Sequence, residues 1–296
     1  MRHSRAVIAI LGGLGAALLW ATATLASARA SWLIGASSTV AWAMAVGSAL
    51  AIPAAVLSGP VPPISASTLV WLAVAGFANV VGLLLVYRGL RIGKIGIVAA
   101  LTSTEGAVTA VIAIIGGEQV TPAVGIMLFV VVLGVIAVAL ASHDDSATGH
   151  SAHSVDPAAA KRAAAFGIAA AVIFGFGLYG SAQVGIALPL PYAVLPARVV
   201  GLVVVFLPLL LAGRLLLTRE ALPLVIVVGT AEVIGTALFA VGARESIAVA
   251  AVLASQFAAV AAVAAFVVFR ERLSVPQRAA VVAIAVSVAI LTAVRG

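Results

Sequence analysis

The sequence predicts an all-α integral membrane protein with ten transmembrane helices, arranged as two inverted repeats of five helices. Of its 296 residues, 64% are hydrophobic and only 8% are charged, whereas soluble domains are about half apolar and a quarter charged. Ten apolar segments each approach the roughly 20 residues that a helix requires to cross a bilayer. The first five segments also resemble the last five, which indicates an internal repeat.

The ten apolar segments are interrupted by one long polar stretch. They span residues 6–27, 33–57, 67–88, 94–115, 121–141, 163–184, 193–213, 221–243, 247–269 and 276–294. The polar stretch, residues 142–162, is rich in Ser, His and Asp and lacks hydrophobic periodicity. It predicts an N-terminal repeat over residues 1–141, a linker over 142–162 and a C-terminal repeat over 163–296. We expect an exposed, poorly ordered linker, because it has too little apolar surface to bury.

The two halves align at several glycines and charged residues. A shift of 153 residues places Gly76, Ala78, Gly82, Gly89, Arg91 and Glu118 on Gly229, Ala231, Gly235, Gly242, Arg244 and Glu271. A shift of 154 residues places Gly13 on Gly167 and Trp20 on Phe174. Because each half has an odd number of helices, the second half crosses the membrane in the opposite sense. Inverted repeats of this kind are common in secondary transporters, whose substrate site lies between the halves near mid-membrane.

The first segment shares features with a cleaved signal peptide. Arg2 and Arg5 precede an apolar run, and Ala26-Ser27-Ala28 resembles a cleavage site. The run nevertheless has full membrane-spanning length, which exceeds that of a signal-peptide core. It also has a counterpart in the second half. We therefore interpret it as the first transmembrane helix.

Three charged residues lie well inside apolar segments, namely Glu105, Arg198 and Glu232. A charged side chain at the bilayer centre costs about 2.5–3.5 kcal/mol on insertion scales, so it usually faces a cavity or a partner. In the structural interpretation, Glu105 and Arg198 form a buried ion pair, and Glu232 is protonated and bonded to a backbone carbonyl. In the functional interpretation, the two glutamates bind a proton or a substrate amino group, and Arg198 binds a substrate carboxylate.

Three uncharged polar residues lie at similar depths in the two halves. The repeat places Asn79 opposite Glu232 and Ser103 opposite Gln256. These side chains either form interhelical hydrogen bonds or line a central polar cavity with the charged residues.

Aromatic residues make up only 6% of the chain, so their positions are informative. Trp32, Trp71 and Tyr192 lie near segment ends, as in the aromatic belts at membrane interfaces. Trp20, Phe176 and Tyr179 lie deeper, in the first segment of each half. They either pack in the core or form apolar walls for an organic substrate.

Two glutamates at helix ends have a simpler structural interpretation. Glu118 and Glu271 each precede a proline that begins the next predicted helix. A carboxylate is stabilised near a helix N-terminus by the helix dipole. We therefore expect both to be corner residues at helix N-termini.

Several classes of function are disfavoured by what the sequence lacks. It contains no cysteine, P-loop, HExxH or GxSxG motif, and its histidines are confined to His3, His143, His150 and His153. We therefore expect no enzymatic activity, cofactor, metal or direct use of ATP. The net charge of +7 comes from basic residues scattered between apolar runs, which predicts contact with lipid headgroups and not with nucleic acid. An intramembrane lipid-modifying enzyme is the alternative from another class, and a membrane scaffold is a third.

The motifs around the mid-membrane polar residues carry a family resemblance. They read Thr102-Ser103-Thr104-Glu105-Gly106 followed by Gly117-Glu118, and Leu253-Ala254-Ser255-Gln256 followed by Arg270-Glu271-Arg272-Leu273-Ser274. In these motifs the chain resembles the EamA family of the drug/metabolite transporter superfamily, over its whole length and in two copies. The family often has Glu-Pro where this chain has Glu105-Gly106, and the second copy lacks the glutamate.

The resemblance implies a secondary transporter that moves small organic metabolites, most often outward, by alternating access. Amino-acid exporters are the subgroup we expect, and among them the aromatic amino-acid exporters of the YddG kind. A multidrug or cation exporter of the same superfamily is the alternative. The expected setting is a monomer spanning the bacterial inner membrane several times. Proton-coupled and uncoupled transport both remain open.

Charge bias and resemblance disagree about orientation. The membrane side that carries the linker has eleven basic residues, Arg29, Arg88, Arg91, Lys94, Lys161, Arg162, Arg214, Arg219, Arg270, Arg272 and Arg278. The other side has four, Arg2, Arg5, Arg244 and Arg295. Because basic residues concentrate on the cytoplasmic side, this count favours termini outside the cell. The resemblance implies termini in the cytoplasm, and we take that orientation as the expectation.

Overall fold

The computed structural model describes residues 2–92, 101–120 and 157–257, with single residues at 98, 122, 125, 126, 129 and 260. Its regular elements are helices: α1 (Arg2–Ile34), α2 (Ala36–Leu57), α3 (Ala66–Ile92), α4 (Glu105–Ile115), α5 (Pro157–Ala187), α6 (Pro191–Leu211), α7 (Ala221–Ala243) and α8 (Ile247–Ala254). In α6, a π-helical turn at Leu202–Phe206 joins two α-helical parts. The predicted segments at 121–141 and 276–294, and most of 247–269, lie outside the described residues.

Six of these helices are long and apolar enough to cross a bilayer. They are Ala6–Ile34, Ala36–Leu57, Ala66–Val86, Lys161–Ala187, Pro191–Leu211 and Ala221–Ala243. Their outer faces are apolar as well, with Leu57 84% exposed and Leu211 78% exposed. The predicted all-α membrane fold is therefore confirmed. The count of ten helices and the inverted repeat stay predictions.

Two predicted boundaries differ from the structure. The first break was expected between residues 27 and 33, but α1 continues to Ile34 and the chain turns at Gly35, whose φ is 81°. Glycine adopts this left-handed conformation without steric cost. The linker was expected to extend to residue 162, but α5 begins at Pro157, and proline is favourable at the start of a helix. Residues 142–156 lie outside the described part.

The predicted fourth and ninth segments are both interrupted, at corresponding places. In the fourth, a turn at Ser103–Thr104 precedes α4, and the Thr104 hydroxyl donates to the carbonyl oxygen of Leu101 over 2.7 Å. In the ninth, α8 ends at Ala254, and the side chains of Ser255 and Gln256 both donate to the Val252 carbonyl over 2.9 Å. Such side chains offer the backbone an alternative to continued helix. A hydropathy window does not reveal these interruptions, because it averages these few polar residues with the apolar residues on either side.

Glycines bring α1 into close antiparallel contact with α7. A Cβ atom on Gly12 would lie 2.6 Å from the Leu238 carbonyl oxygen and 2.7 Å from the Gly242 Cα. Further along, the Trp20 indole lies against Gly235. Within lipid, helices gain little from burying apolar surface, so small residues that admit close backbone approach stabilise the contact.

The α5 helix packs on α3 in the same way. Phe174 lies against Gly82, where a Cβ atom would come within 2.5 Å of its ring. These contacts join residues that the repeat aligns with Trp20 and Gly235. The first long helix of each half thus packs on the third helix of the other half. A two-fold relation between the halves predicts this exchange of contacts.

The α8 helix lies at the centre of the described bundle. All eight of its residues are buried, and together with residues of α1, α4, α5 and α7 they form one apolar cluster. Its small side chains admit a close crossing with α4, where Gly106 faces the Ala251 carbonyl oxygen and Ser255. The two interrupted helices therefore cross next to their interruptions.

We expect Gly12→Ala to destabilise the protein by about 1–3 kcal/mol, because the added methyl meets backbone atoms that have no rotamer to change. The matched control is Gly125→Ala, since among the described residues a Cβ atom there meets no atom of another helix within 4 Å. Thermal unfolding of the purified variants in detergent measures the difference. Equal melting temperatures for the two variants would contradict the packing described here.

Candidate functional site

An ion pair between Arg198 of α6 and Glu232 of α7 lies inside the bundle. Arg198 Nη2 is 3.2 Å from Glu232 Oε2, and Nη1 is 3.5 Å from the Met44 sulfur. The Arg198 side chain is only 2% exposed, whereas that of Glu232 is 32% exposed. The pair therefore has a buried cationic end and a more accessible anionic end.

The α2 helix makes room for the arginine. A Cβ atom on Gly47 would lie 2.8 Å from Arg198 Cδ and 3.4 Å from its Nε. Arg198 Nε is buried and has no hydrogen-bond partner among the described residues. One carboxylate oxygen and a thioether satisfy only part of the five N–H donors of a guanidinium. Arg198 thus retains capacity to bind a further acceptor.

Glu105 lies in the same region but does not pair with Arg198. It is the first residue of α4 and is buried, and its carboxyl group is close enough to Glu232 for their charges to repel each other. The ion pair considered between Glu105 and Arg198 is therefore wrong, because Arg198 pairs with Glu232 instead. The sequence placed Glu105 and Glu232 near mid-segment and Arg198 more than a turn inside its segment, but helix packing decides which residues face each other.

The charges of these three side chains do not balance. Two carboxylates and one guanidinium leave a net negative charge when both acids are ionised. An uncompensated charge in a low-dielectric interior is costly. The cluster of Glu105, Arg198 and Glu232, which we call the charge triad, therefore favours a proton or a cationic group as an additional partner.

Four other buried polar atoms lack hydrogen-bond partners within the described residues. They are Trp20 Nε1, Ser48 Oγ, Asn79 Oδ1 and Gln256 Oε1. Most buried polar atoms in proteins are paired, so each exception requires an explanation such as water or a ligand. Three of the four belong to residues predicted from the sequence as substrate-binding. Ser103, another predicted residue, is buried at the turn before Glu105.

Trp20 packs against two other aromatic side chains and against α7, the helix that carries Glu232. Its ring is 6.2 Å from that of Phe239 and 6.3 Å from that of Phe257. A Cβ atom on Gly235 would lie 2.7 Å from its indole nitrogen. Gly235 follows Glu232 by three residues and thus lies on the same face of α7. The indole therefore lies about one helical turn from Glu232 along α7.

Two predicted aromatic residues are not part of this arrangement. Phe176 is 43% exposed and shares an outward face of α5 with Val172 and Ile168. Tyr179 is buried, but it packs on Trp71 with ring centroids 5.1 Å apart, and its hydroxyl lies at Gly116. Gly116 is about 16 Å from Glu105 at 1.5 Å per residue along α4. Neither side chain is thus described beside Glu105, and their role as apolar walls for a substrate stays a prediction.

Sequence reasoning missed several residues around the site. Phe174, and not Phe176, makes the α5 contact that corresponds to Trp20, and the repeat alignment of Trp20 with Phe174 signalled it. Met44 and Gly47 contact Arg198, and Ser48 is buried beside them on α2. No sequence pattern distinguishes these three from ordinary packing residues.

Glu118 links the end of α4 to the start of α8. Its carboxylate accepts from the Ser246 hydroxyl over 2.6 Å and from the backbone N–H groups of Ile247 and Ala248 over 3.1 and 3.2 Å. A carboxylate here satisfies orphan amides and complements the helix dipole. Glu118 thus lies at a helix N-terminus as predicted, but that helix belongs to the other half. Glu271 lies outside the described residues.

Comparisons with known proteins agree with this architecture. Residues 7–140 match the model of the EamA-like transporter family, so the first half carries an EamA-like transporter domain. One solved crystal structure has a similar fold, with a TM-score of 0.75 and 17% identity over 97% of this chain and 96% of its own. No curated protein sequence matches the chain. The resemblance expected from the sequence is thus found over residues 7–140, while the second copy and the aromatic amino-acid subgroup stay predictions.

We expect Glu118→Ala to destabilise the protein by about 1–2 kcal/mol, since the α8 N-terminus loses a capping carboxylate. Gln119→Ala is the control, because that neighbouring side chain is exposed and contacts only the Gly117 carbonyl among the described residues. Melting temperatures of the two purified variants give the answer. A loss of stability that is no greater for Glu118→Ala would show that the cap is not stabilising.

Proposed function

We propose that the protein is a secondary transporter of small organic metabolites, with amino acids as its foremost substrates. The observation that carries this proposal is the charge triad of Glu105, Arg198 and Glu232 inside helices of membrane-spanning length. Ionisable residues at such depth are costly and commonly mark substrate or proton pathways. The EamA-like domain of the first half supports transport as the activity.

The triad and its polar neighbours match the groups of an amino acid. The two carboxylates attract an ammonium group, and Arg198 has unused donors for a carboxylate. The amide oxygens of Asn79 and Gln256 accept further hydrogen bonds, and the Trp20 N–H donates one. An apolar substrate side chain would contact the Trp20 ring, and Phe174 is the corresponding aromatic residue of the second half.

The interrupted helices support a site at this depth. Unwound backbone within a membrane is tolerated only where protein buries it or where it lines a water-filled cavity. Transporters place such interruptions at their substrate and ion sites. Here the turns before Glu105 and after Ala254 adjoin the crossing of α4 and α8. In the proposed mechanism, the two halves rock about this crossing and expose the triad to each side in turn.

A cation or multidrug exporter is the second candidate. It is favoured by the net negative charge of the triad when both glutamates are ionised. The two candidates differ in whether Arg198 is used, because a cationic substrate without a carboxylate has no need of it.

Counterflow in proteoliposomes tests the proposed function directly. Vesicles loaded with unlabelled aromatic amino acids, other amino acids, nucleosides or cationic dyes are diluted into the corresponding labelled compound. Labelled amino acid should accumulate, and an imposed pH gradient should change the rate only if transport is coupled to protons. Accumulation of dyes alone would favour the cation exporter. The absence of counterflow for every class, with correctly folded protein in the vesicles, would contradict transport of these metabolites.

We expect Glu105→Gln and Glu232→Gln to differ in stability. Glu105→Gln should reduce counterflow at least about tenfold, equivalent to a loss of about 1.4 kcal/mol, while the melting temperature stays near that of the unmodified protein. Glu232→Gln should reduce counterflow and also destabilise the fold by about 3 kcal/mol, because it leaves Arg198 without its counter-ion. Both quantities are measured on the same preparation. Normal counterflow in both variants would place the site elsewhere.

A further inference from the structure

We propose that the end of the bundle rich in arginine and lysine is the cytoplasmic face of the protein, where its side chains bind the anionic lipid headgroups of the inner leaflet. The start of α1 then lies on the outer side of the membrane. This orientation is opposite to the one implied by the family resemblance. The inference concerns the membrane surface and does not depend on the substrate.

Helix packing assigns each basic residue to one end of the bundle. Because α1 and α7 are antiparallel, the end of α1 lies beside the start of α7, as Ile34 and Ala221 share one apolar cluster. Because α3 and α5 are antiparallel, the end of α3 lies beside the start of α5, as Gly89 contacts Phe166. The short turn at Gly35 and the loop between α2 and α3 place the ends of α1 and α3 on the same side.

Six of the eight arginine and lysine side chains that the structure describes lie at this one end. They form what we call the basic face: Arg29, Arg88, Lys161, Arg162, Arg214 and Arg219, all exposed. Arg198 is inside the bundle and Arg244 lies at the opposite end, where α1 also begins with Arg2 and Arg5. Glu220 is the single acidic residue described on the basic face, whereas Glu118 and Glu245 lie at the other end.

Arg244, at the opposite end, is bound to backbone of the protein. Arg244 donates to the carbonyl oxygens of Gly185 and Leu188 over 2.8 and 3.4 Å. It therefore caps the C-terminus of α5, where a cation complements the helix dipole. Arg244 is thus engaged with the protein, whereas no side-chain hydrogen bond to another element is described for Arg214 or Arg219 on the basic face.

The basic face also has the features of a headgroup contact. Trp32, at the end of α1, is 86% exposed. The loop with Arg214 and Arg219 is held to α2, since Trp42 Nε1 donates to the Leu216 carbonyl over 3.0 Å and the Leu216 N–H donates to Ser38 Oγ over 3.2 Å. Basic residues at helix ends are attracted to the negative surface of the cytoplasmic leaflet. They also retain short loops on that side during insertion.

The absence of cysteine from the chain makes a labelling test simple. Val61→Cys and Leu217→Cys place single thiols in loops at opposite ends, and both native side chains are 39% exposed. In intact cells, a membrane-impermeant maleimide should label Val61→Cys and should label Leu217→Cys only after lysis. The reverse pattern would overturn the proposal, and labelling of both in intact cells would show mixed orientation and overturn it as well.

A charge variant tests whether the basic face determines the orientation of the protein in the membrane. Replacing Arg29, Arg214 and Arg219 together with glutamate should reverse labelling in a substantial fraction of molecules, and the matched lysine replacements should not. Lipid binding is measured with the purified protein in detergent. Phosphatidylglycerol should raise the melting temperature more than phosphatidylcholine, and the glutamate variant should lose that difference. Equal stabilisation by the two lipids would exclude specific binding of anionic headgroups.

Discussion

The close backbone contact between α1 and α7 is the constraint on which the described site depends. Because Gly12 and Gly242 bring the two helices together, the face of α7 that carries Gly235 lies beneath Trp20. Glu232 lies on the same side of α7 and forms its ion pair with Arg198 of α6. The Arg198 side chain in turn packs against Gly47 of α2. A side chain at the glycine contact would separate the helices and change the rotation of α7. The position of the ion pair is thus a consequence of small-residue packing.

The interior is closely packed and yet contains charged and polar groups, a combination that is unusual in a protein core. The α8 helix is wholly buried and its small side chains pack closely, yet charged and unpaired polar groups lie around it. Such groups destabilise a sealed core, because each unpaired atom forfeits hydrogen bonds that water would supply. They are consistent with a region that is hydrated or occupied during part of a transport cycle. Glu118 adds a connection between halves near one end of this region.

The family match and the charged residues bear on different features of the protein. The match of residues 7–140 to the EamA-like transporter family agrees with membrane-spanning helices and supports transport as the proposed activity. It does not determine which polar groups face the interior, nor which end of the bundle meets the cytoplasm. The first feature follows from particular contacts, such as Arg198 beside Gly47, and the proposal for the second draws on residues such as Arg214 in a loop held by Trp42. The features that distinguish this chain are therefore interpreted from its own residues and their contacts.

Sequence alone determined the membrane fold class, because hydropathy is a local property, and it placed Glu105, Arg198 and Glu232 inside apolar segments. It did not determine the interruptions at Ser103–Thr104 and Ser255–Gln256, because hydropathy averages these few polar residues with the apolar residues on either side. Tertiary structure decided that Arg198 pairs with Glu232, and that Phe176 faces outward. The physical reason is that a residue's depth follows from its position in a helix, whereas its neighbours follow from helix rotation, which packing between distant segments sets.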